Sequence, residues 1–218
     1  MNQLKRLLST SLILISLIPL TVRAEKESPP PEKPKQSTSI FRAVLSLFKT
    51  SERRMMTRGD EVCLISPGNG AEQLIWSDRP LFVWWGETLE SQINLYRQEQ
   101  LIWTETVPAY SQTIAYSGAA LEPGVKYDWE LVANGRNYRQ TIVLLEQSQQ
   151  KAIAAELANL NRQLKTNKAT IEAMAIARAE YFLDQELSSD ALQQLYLVKN
   201  PSPELTAQIA NFEDRLCK

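Results

Sequence analysis

Five acidic side chains, Glu87, Glu90, Glu105, Asp128 and Glu130, are the residues that could do chemistry by type. A carboxylate pair hydrolyses glycosidic bonds when one member acts as general acid and the other as base or nucleophile. Nothing in the spacing selects two of the five. Asp128 and Glu130 stand at i and i+2, on one face of an extended strand, which is also how a solvated face looks. Histidine is absent. Ser-His-Asp and Cys-His nucleophile systems therefore cannot be built, and neither can the common zinc sites of His and Cys clusters. The Gly cluster Pro67-Gly68-Asn69-Gly70 lacks the Lys-Ser/Thr and helix of a phosphate loop. No catalytic residue, cofactor site or metal site is assigned on these grounds. A hydrolase using paired carboxylates remains as an alternative.

Binding chemistry could come from tryptophan. All five Trp fall within residues 76–129. Exposed aromatic side chains mark binding sites, and Trp76, Trp84 and Trp103 could serve as platforms for a glycan. Trp84 and Trp85 are adjacent, so a regular strand turns them to opposite faces. They are the candidate contact residues, with a covered core as the other reading. Cys63 and Cys217 are the only cysteines. In an exported chain such a pair suggests a disulfide, which would dock the last helix against the first strand; two unrelated buried thiols are the other possibility.

These residues sit on elements that the pattern makes legible. From Glu61 to Glu146 apolar residues recur with period two. This predicts seven strands, at 61–66, 80–85, 91–97, 101–107, 111–116, 126–133 and 137–145. Turn signals separate them, among them Pro67-Gly68, Pro123-Gly124 and Asn134-Gly135. Seven short strands with this spacing predict an immunoglobulin- or fibronectin-like β-sandwich. The segment Leu121-Glu-Pro-Gly-Val-Lys-Tyr127 resembles the tyrosine corner of such sandwiches. Leu121 would anchor the corner and the Tyr127 phenol would close it, although an ordinary surface Tyr also starts many strands. Trp129, Leu131 and Ala133 would follow Tyr127 inward, leaving Lys126, Asp128 and Glu130 toward water.

Beyond Gly135 there is no glycine, and no proline lies between Pro123 and Pro201. The last third is therefore read as helical. Ile153, Leu157, Leu160 and Leu164 form one stripe. Residues 168–187 carry two, Ile171, Met174, Tyr181 and Phe182 on one and Ile176, Leu183 and Leu187 on the other, so this helix needs two neighbours. A third helix spans 190–199 with Ser188 or Ser189 as its cap. A fourth begins at Ser202-Pro203-Glu204, with Ser as N-cap and Pro in the first position. Ala179, Phe182, Ala191, Leu195 and Pro203 match the spacing of one tetratricopeptide unit, too little for a groove-forming array. The fold class expected is α+β, a seven-stranded sandwich followed by a four-helix tetratricopeptide-like segment.

The chain opens with Lys5 and Arg6, an apolar run from Leu7 to Leu20 and a small-residue pattern ending at Ala24. This is read as a secretory signal peptide, residues 1–24. Its apolar run is shorter than the roughly 20 residues that span a bilayer. Cleavage removes Lys5, Arg6 and Arg23 and no acid, leaving 21 basic against 25 acidic residues and a net charge of about −4. That argues against a nucleic-acid partner. Residues 25–39 are Pro-rich and charged, a linker. Residues 40–57 hold a short amphipathic helix with Ile40, Phe41, Val44, Leu45 and Phe48 on one face. It either packs on the sandwich or, helped by Arg53 and Arg54, meets a membrane surface or partner. Arg58-Gly59-Asp60 matches an adhesion tripeptide, a match common by chance. The sandwich then occupies 58–146 and the helical segment, packed on it, 147–218.

The order of "RGDEVC", "WSDRPLFVWW", "LEPGVKYDWEL" and "SSDALQQLYLVKNPSPELTAQIANFEDRL" after a signal peptide and Pro-rich linker resembles the cyanobacterial envelope proteins grouped as domain-of-unknown-function family 928. The resemblance covers residues 58–216 and rests most on Arg79-Pro80 before an aromatic strand and on Asp190-Ala191-Leu192 through Pro201. Phe212 stands where the family would place a Trp. The resemblance implies export and a β-sandwich with a helical tail, and no known activity. The function expected is an exported, non-catalytic interaction or structural module of the cell envelope, in periplasm or extracellular space. Its partner would be an envelope protein or a glycan, and no transmembrane span would remain after signal-peptide removal. A carbohydrate-binding sandwich using Trp platforms is the first alternative.

Overall fold

Residues 81–85 read Leu-Phe-Val-Trp-Trp, with no polar side chain on either face of a strand. Such a run belongs to a strand covered on both sides, and the computed structural model of the chain places it so. The structure describes residues 40–44, 62–68 and 72–217. The expected signal peptide, the linker, residues 45–57 of the amphipathic helix and Arg58-Gly59-Asp60 lie outside them. The described residues all belong to one compact unit, Pro34–Lys218.

Among the described residues eight strands form two sheets. The smaller joins β1 (Cys63–Ser66), β3 (Leu81–Trp85) and β6 (Thr113–Ala115) in the order β1-β3-β6. The larger has the order β2-β8-β7-β4-β5, from β2 (Gln73–Ile75), β8 (Arg136–Leu144), β7 (Lys126–Ala133), β4 (Ser91–Arg97) and β5 (Gln100–Val107). Pairing is antiparallel except for β2, which runs parallel to β8. Each of the seven expected stretches coincides with a strand to within two residues at either end; β2 is an eighth that the sequence reading missed. Its three residues pair with Ile142–Leu144, far along the chain, and three residues show no period.

Helical residues 40–44 (α1), α2 (Gln147–Thr166), α3 (Ile171–Asp184), α4 (Ser188–Tyr196) and α5 (Pro203–Cys217) complete the unit. The described residues thus form an α+β fold, with two mostly antiparallel sheets and five helices.

The alternation of β1 and β3 divides the apolar side chains between two clusters. Leu64, Phe82 and Trp84 enter a core shared with Ile93, Leu95, Trp129, Leu131 and Ile142 of the larger sheet. Cys63, Ile65, Leu81 and Val83 face the other way and pack with Ile153, Leu157, Phe182, Leu192, Leu195 and Phe212 of the helices. Each such large side chain taken out of water contributes about 1.5–3 kcal/mol. In β7 the residues alternate as expected: Tyr127, Trp129, Leu131 and Ala133 are buried, and Lys126, Asp128 and Glu130 are not.

The turns follow their residues. Asn134 (φ 52°) and Gly135 (φ 73°) both take left-handed backbone between β7 and β8, as the favoured two-residue hairpin requires. Gly124 has φ +71°, and a Cβ there would meet the Glu146 carboxylate at 2.6 Å. Before β7, the Tyr127 hydroxyl oxygen accepts the backbone N–H of Glu122 at 3.0 Å, beside buried Leu121. Tyr127→Phe is expected to cost about 1–2 kcal/mol, the worth of this bond plus a stranded N–H. An unchanged chemical-denaturation midpoint and slope would count against that role for the phenol.

The helices depart from expectation in two places. In α3 the buried line is Ala175, Ala179 and Phe182, with Ile176, Tyr181 and Leu183 half-buried against the same core, while Ile171 is exposed. The first turn of α4 has no side-chain cap, and Leu187 precedes it. Ser188 and Ser189 instead send their hydroxyls to Gln73 Oε1, at 3.4 and 3.1 Å. The Ser202 cap of α5 is as expected: its Oγ accepts the N–H of Leu205 at 3.1 Å.

Candidate functional site

One set of partly buried polar contacts lies where the helices meet the sheets. Residues 76–80 connect β2 to β3, and α2 and α4 bond to this connection and to Leu81 at its end. Buried peptide groups need partners, and three side chains supply them. Asp190, in the first turn of α4, accepts the N–H groups of Trp76 and Ser77, both at 2.8 Å. Gln193, one turn on, accepts the N–H of Leu81 at 3.1 Å and donates to Arg79 O and Ser77 Oγ. Gln150 of α2 donates to Trp76 O at 3.2 Å, and its own carbonyl accepts the Trp76 indole N–H at 3.1 Å.

Asp190 is 2% exposed. Burial raises its pKa to about 6, outweighing the backbone N–H groups of Trp76 and Ser77 that favour the ionised form. The sequence places Asp190 in a helix and in the segment that carries the family resemblance, but shows no partner for it. An acid in a first helical turn is ordinary, and its partners lie 113 and 114 residues away.

A second feature is an open groove of about 670 Å³ whose lining includes Leu164 of α2, Ile176 of α3 and the carboxylates Glu172, Glu180 and Glu204. None of the described residues that line it is basic. Glu172 is fixed in place: its two oxygens accept the N–H and Oγ–H of Ser202, each at 2.7 Å. It thereby ties the start of α3 to the cap of α5. Partial burial, and then the neighbouring Asp184, raise the pKa of Glu180. Glu204 lies at the start of α5, where the helix dipole favours an anion. Sequence reading missed this groove because α2, α3 and α5 bring its walls together from distant parts of the chain.

Of the five acids that could do chemistry by type, Asp128, Glu130 and Glu105 are engaged in hydrogen bonds of their own. Asp128 accepts from Arg139 at 3.3 Å and from Thr141. Arg139 also reaches Glu99 at 3.0 Å and lies over the Tyr96 ring, 5.0 Å from its centroid. Glu130 accepts from Tyr96 Oη, Asn137 and Asn94, at 3.1, 3.2 and 3.4 Å. Glu105 accepts from Ser117 at 2.9 Å on another strand face. Glu87 and Glu90 lie in the β3–β4 connection. Among the described residues, no group of three or more acidic or cysteine ligands comes together to hold a metal.

The tryptophans are also dispersed. Trp84 is fully buried between the sheets, which removes it as a contact residue. Trp85 is half-buried and turns the other way, against the helical cluster. The strict alternation of β3 separates the two. Trp76 packs beside Phe182, ring centroids 5.5 Å apart, and Trp103 packs on Phe82 and Tyr116. Trp76, Trp84 and Trp103 thus form no shared platform. Of the helix at 40–57, Ile40, Phe41 and Val44 are buried, with Phe41 5.4 Å from Phe212. Cys63 and Cys217 are joined, their Cα atoms 5.8 Å apart, so the last helix does lie against the first strand. Among the described residues no helix is long and apolar enough to cross a membrane.

No family model matches the sequence, and no curated protein matches it either. Among solved structures, the chain has a likeness to Drosophila OTK, extracellular domains 3-5. Identity is 9%, and the TM-score is 0.26 over 43% of this chain and 39% of that one. The chain thus spans well under half of that structure, and a TM-score so low carries no argument about function.

Proposed function

We propose that this chain is an exported, non-catalytic interaction module of the cell envelope, related to the family it resembles in sequence. In this reading the two sheets are an immunoglobulin- or fibronectin-like sandwich. The helices, with α3 and α4 as a tetratricopeptide-like hairpin, present its working surface. The observation that carries the reading is the carboxylate-lined groove of α2, α3 and α5. Leu164 and Ile176 offer it an apolar floor, and Glu180 meets no cation there among the described residues. A groove of that character fits a partner segment that sets Lys or Arg beside apolar side chains, because opposite charge steers the encounter and apolar burial holds it. The disulfide supports export, since such bonds persist in oxidising compartments.

Two measurements test this. N-terminal sequencing of the secreted protein should begin at Glu25; a chain retained inside the cell with its leader uncut removes the export reading. A photo-crosslinker at Ile176 in the producing cells should capture a partner carrying a basic, apolar segment, and Glu180→Lys should abolish that capture. Crosslinks that ignore the charge reversal, or that return only this chain's own residues, overturn the groove as the working surface.

A further inference from the structure

The side chain of Trp76 is half-buried and lines two cavities, of about 300 and 330 Å³. Ala154 of α2 lines both as well. Gln147, Gln150 and Lys151 of the same helix wall the first cavity, and Leu157, Ala158 and Asn161 wall the second. Residues three and four apart share one face of a helix, so the two cavities follow a single face of α2 for about 21 Å. Ala154 and Ala158 are too short to fill the space beside the indole. The result is a trench with Trp76 at its middle.

The ring is fixed before any ligand arrives. Asp190 holds the Trp76 N–H, the Gln150 side chain donates to its carbonyl, and the Gln150 carbonyl accepts its indole N–H. Phe182 packs 5.5 Å from it. A side chain already ordered costs little to bind against, and with its N–H satisfied the indole offers a ligand apolar contact.

The two ends are polar, and each carries a cation. Arg178 of α3 lines the second cavity and donates from Nε to Asn161 Oδ1 at 2.7 Å, which leaves its two Nη groups to donate elsewhere. Lys151 stands in the first cavity. Neither cation forms an ion pair among the described residues. Lys151 and Asn161, the partner of Arg178, lie about 15 Å apart along α2. The side-chain amides of Gln147 and Gln194, which also line the trench, have no hydrogen bond among the described residues. An amide both donates and accepts, as a sugar hydroxyl does. Asp78 is the one acid among the lining residues, and it can accept from hydroxyls.

We propose that this trench binds an acidic polysaccharide, a chain of sugars that bear carboxylates. Trp76 takes the C–H face of one sugar, Arg178 and Lys151 take carboxylates on either side of it, and the amides take hydroxyls. Charge complementarity selects an acidic chain over a neutral one. The fixed indole and the unspent amides suit a sugar better than an acidic peptide. One indole suffices, so the separation of Trp84 and Trp103 from Trp76 is no obstacle. The inference is independent of the carboxylate-lined groove proposed above.

The test titrates the full mature chain with oligogalacturonate and with oligomannuronate, following tryptophan fluorescence and heat of binding. At least one should bind, less tightly as salt rises, and a neutral glucan of equal length should bind about tenfold more weakly. Arg178→Gln should weaken binding about tenfold, the usual cost of a charge-assisted contact. Lys151→Gln should weaken it about threefold, since that side chain is exposed. Lys165→Gln, on the same helix outside the trench, should leave the affinity as it is. Ala154→Phe should fill the trench and abolish binding, while thermal unfolding stays cooperative because Ala154 is exposed. The proposal is overturned if neither acidic oligomer binds, if the neutral glucan or poly-glutamate binds equally well, if binding survives Ala154→Phe, or if Lys165→Gln costs as much as Arg178→Gln.

Discussion

Replacing Cys63 and Cys217 together by Ala is expected to lower the stability of the mature protein by up to roughly 5 kcal/mol. The bond closes a loop with a sequence separation of 154. Cross-linking so long a loop removes much of the entropy of the unfolded chain, and the chain-entropy relation gives roughly 5 kcal/mol for this length, with residual unfolded structure lowering it. Both cysteines lie in the helical core, so Ala keeps an apolar side chain there. The unfolded state of the double variant should expand, raising the denaturant slope while the midpoint falls. Reducing the native protein should reproduce both changes. A loss below about 1 kcal/mol would mean that the bond constrains little the unfolded chain does not already lack.

Asp190→Ala is expected to cost about 3 kcal/mol at neutral pH, because the buried N–H groups of Trp76 and Ser77 both lose their acceptor. The charge of Asp190 adds a pH signature. Its pKa is about 6 in the folded protein, against about 3.9 for an unperturbed Asp. Above pH 6 the group is ionised in both states, and the folded state bears the cost of burying it. As pH falls from 6 toward 4 the folded protein takes up the proton first, so stability rises. The gain is complete below the unfolded pKa and is lost as pH rises through the folded one. The shift corresponds to about 3 kcal/mol. Glu180 and Glu213 are raised as well, chiefly by burial, so the comparison must be with Asp190→Asn. Subtracting its pH–stability curve from that of the native protein should leave a step between pH 6 and pH 4. Parallel curves would show that Asp190 does not titrate in this window.

What could be read in advance was whatever depended on neighbours in sequence. β7 announced itself because an aromatic or apolar side chain recurs at every second position from Tyr127 to Ala133, and its flanking turns have residues that only certain turns require. Ser202-Pro203 marked α5 because capping is settled within one turn. Cys63 and Cys217 could be paired because no other thiol competes. Asp190, Trp76 and Gln193 were opaque for the opposite reason: each is polar or aromatic in an ordinary local setting, and its partner is more than a hundred residues away. Trp84 and Trp85 fall between these cases. Their opposite orientations followed from strand geometry, but what lay on each side followed only from the helices settling over β1 and β3.

The doubly covered strands β1 and β3 have a consequence for anyone who would cut or recombine this chain. Leu64, Phe82 and Trp84 look into one core while Cys63, Ile65, Leu81 and Val83 look into the other. No boundary can be drawn that gives the sheets to one fragment and the helices to another without leaving one party a wet, oily wall. A graft of the strands alone onto a foreign protein would bring an aggregation surface with it. Transfer of the helices alone would strip them of the floor on which they rest. The smaller sheet is common property, and the unit of inheritance is therefore the whole stretch closed by the disulfide together with the buried helical residues 40–44.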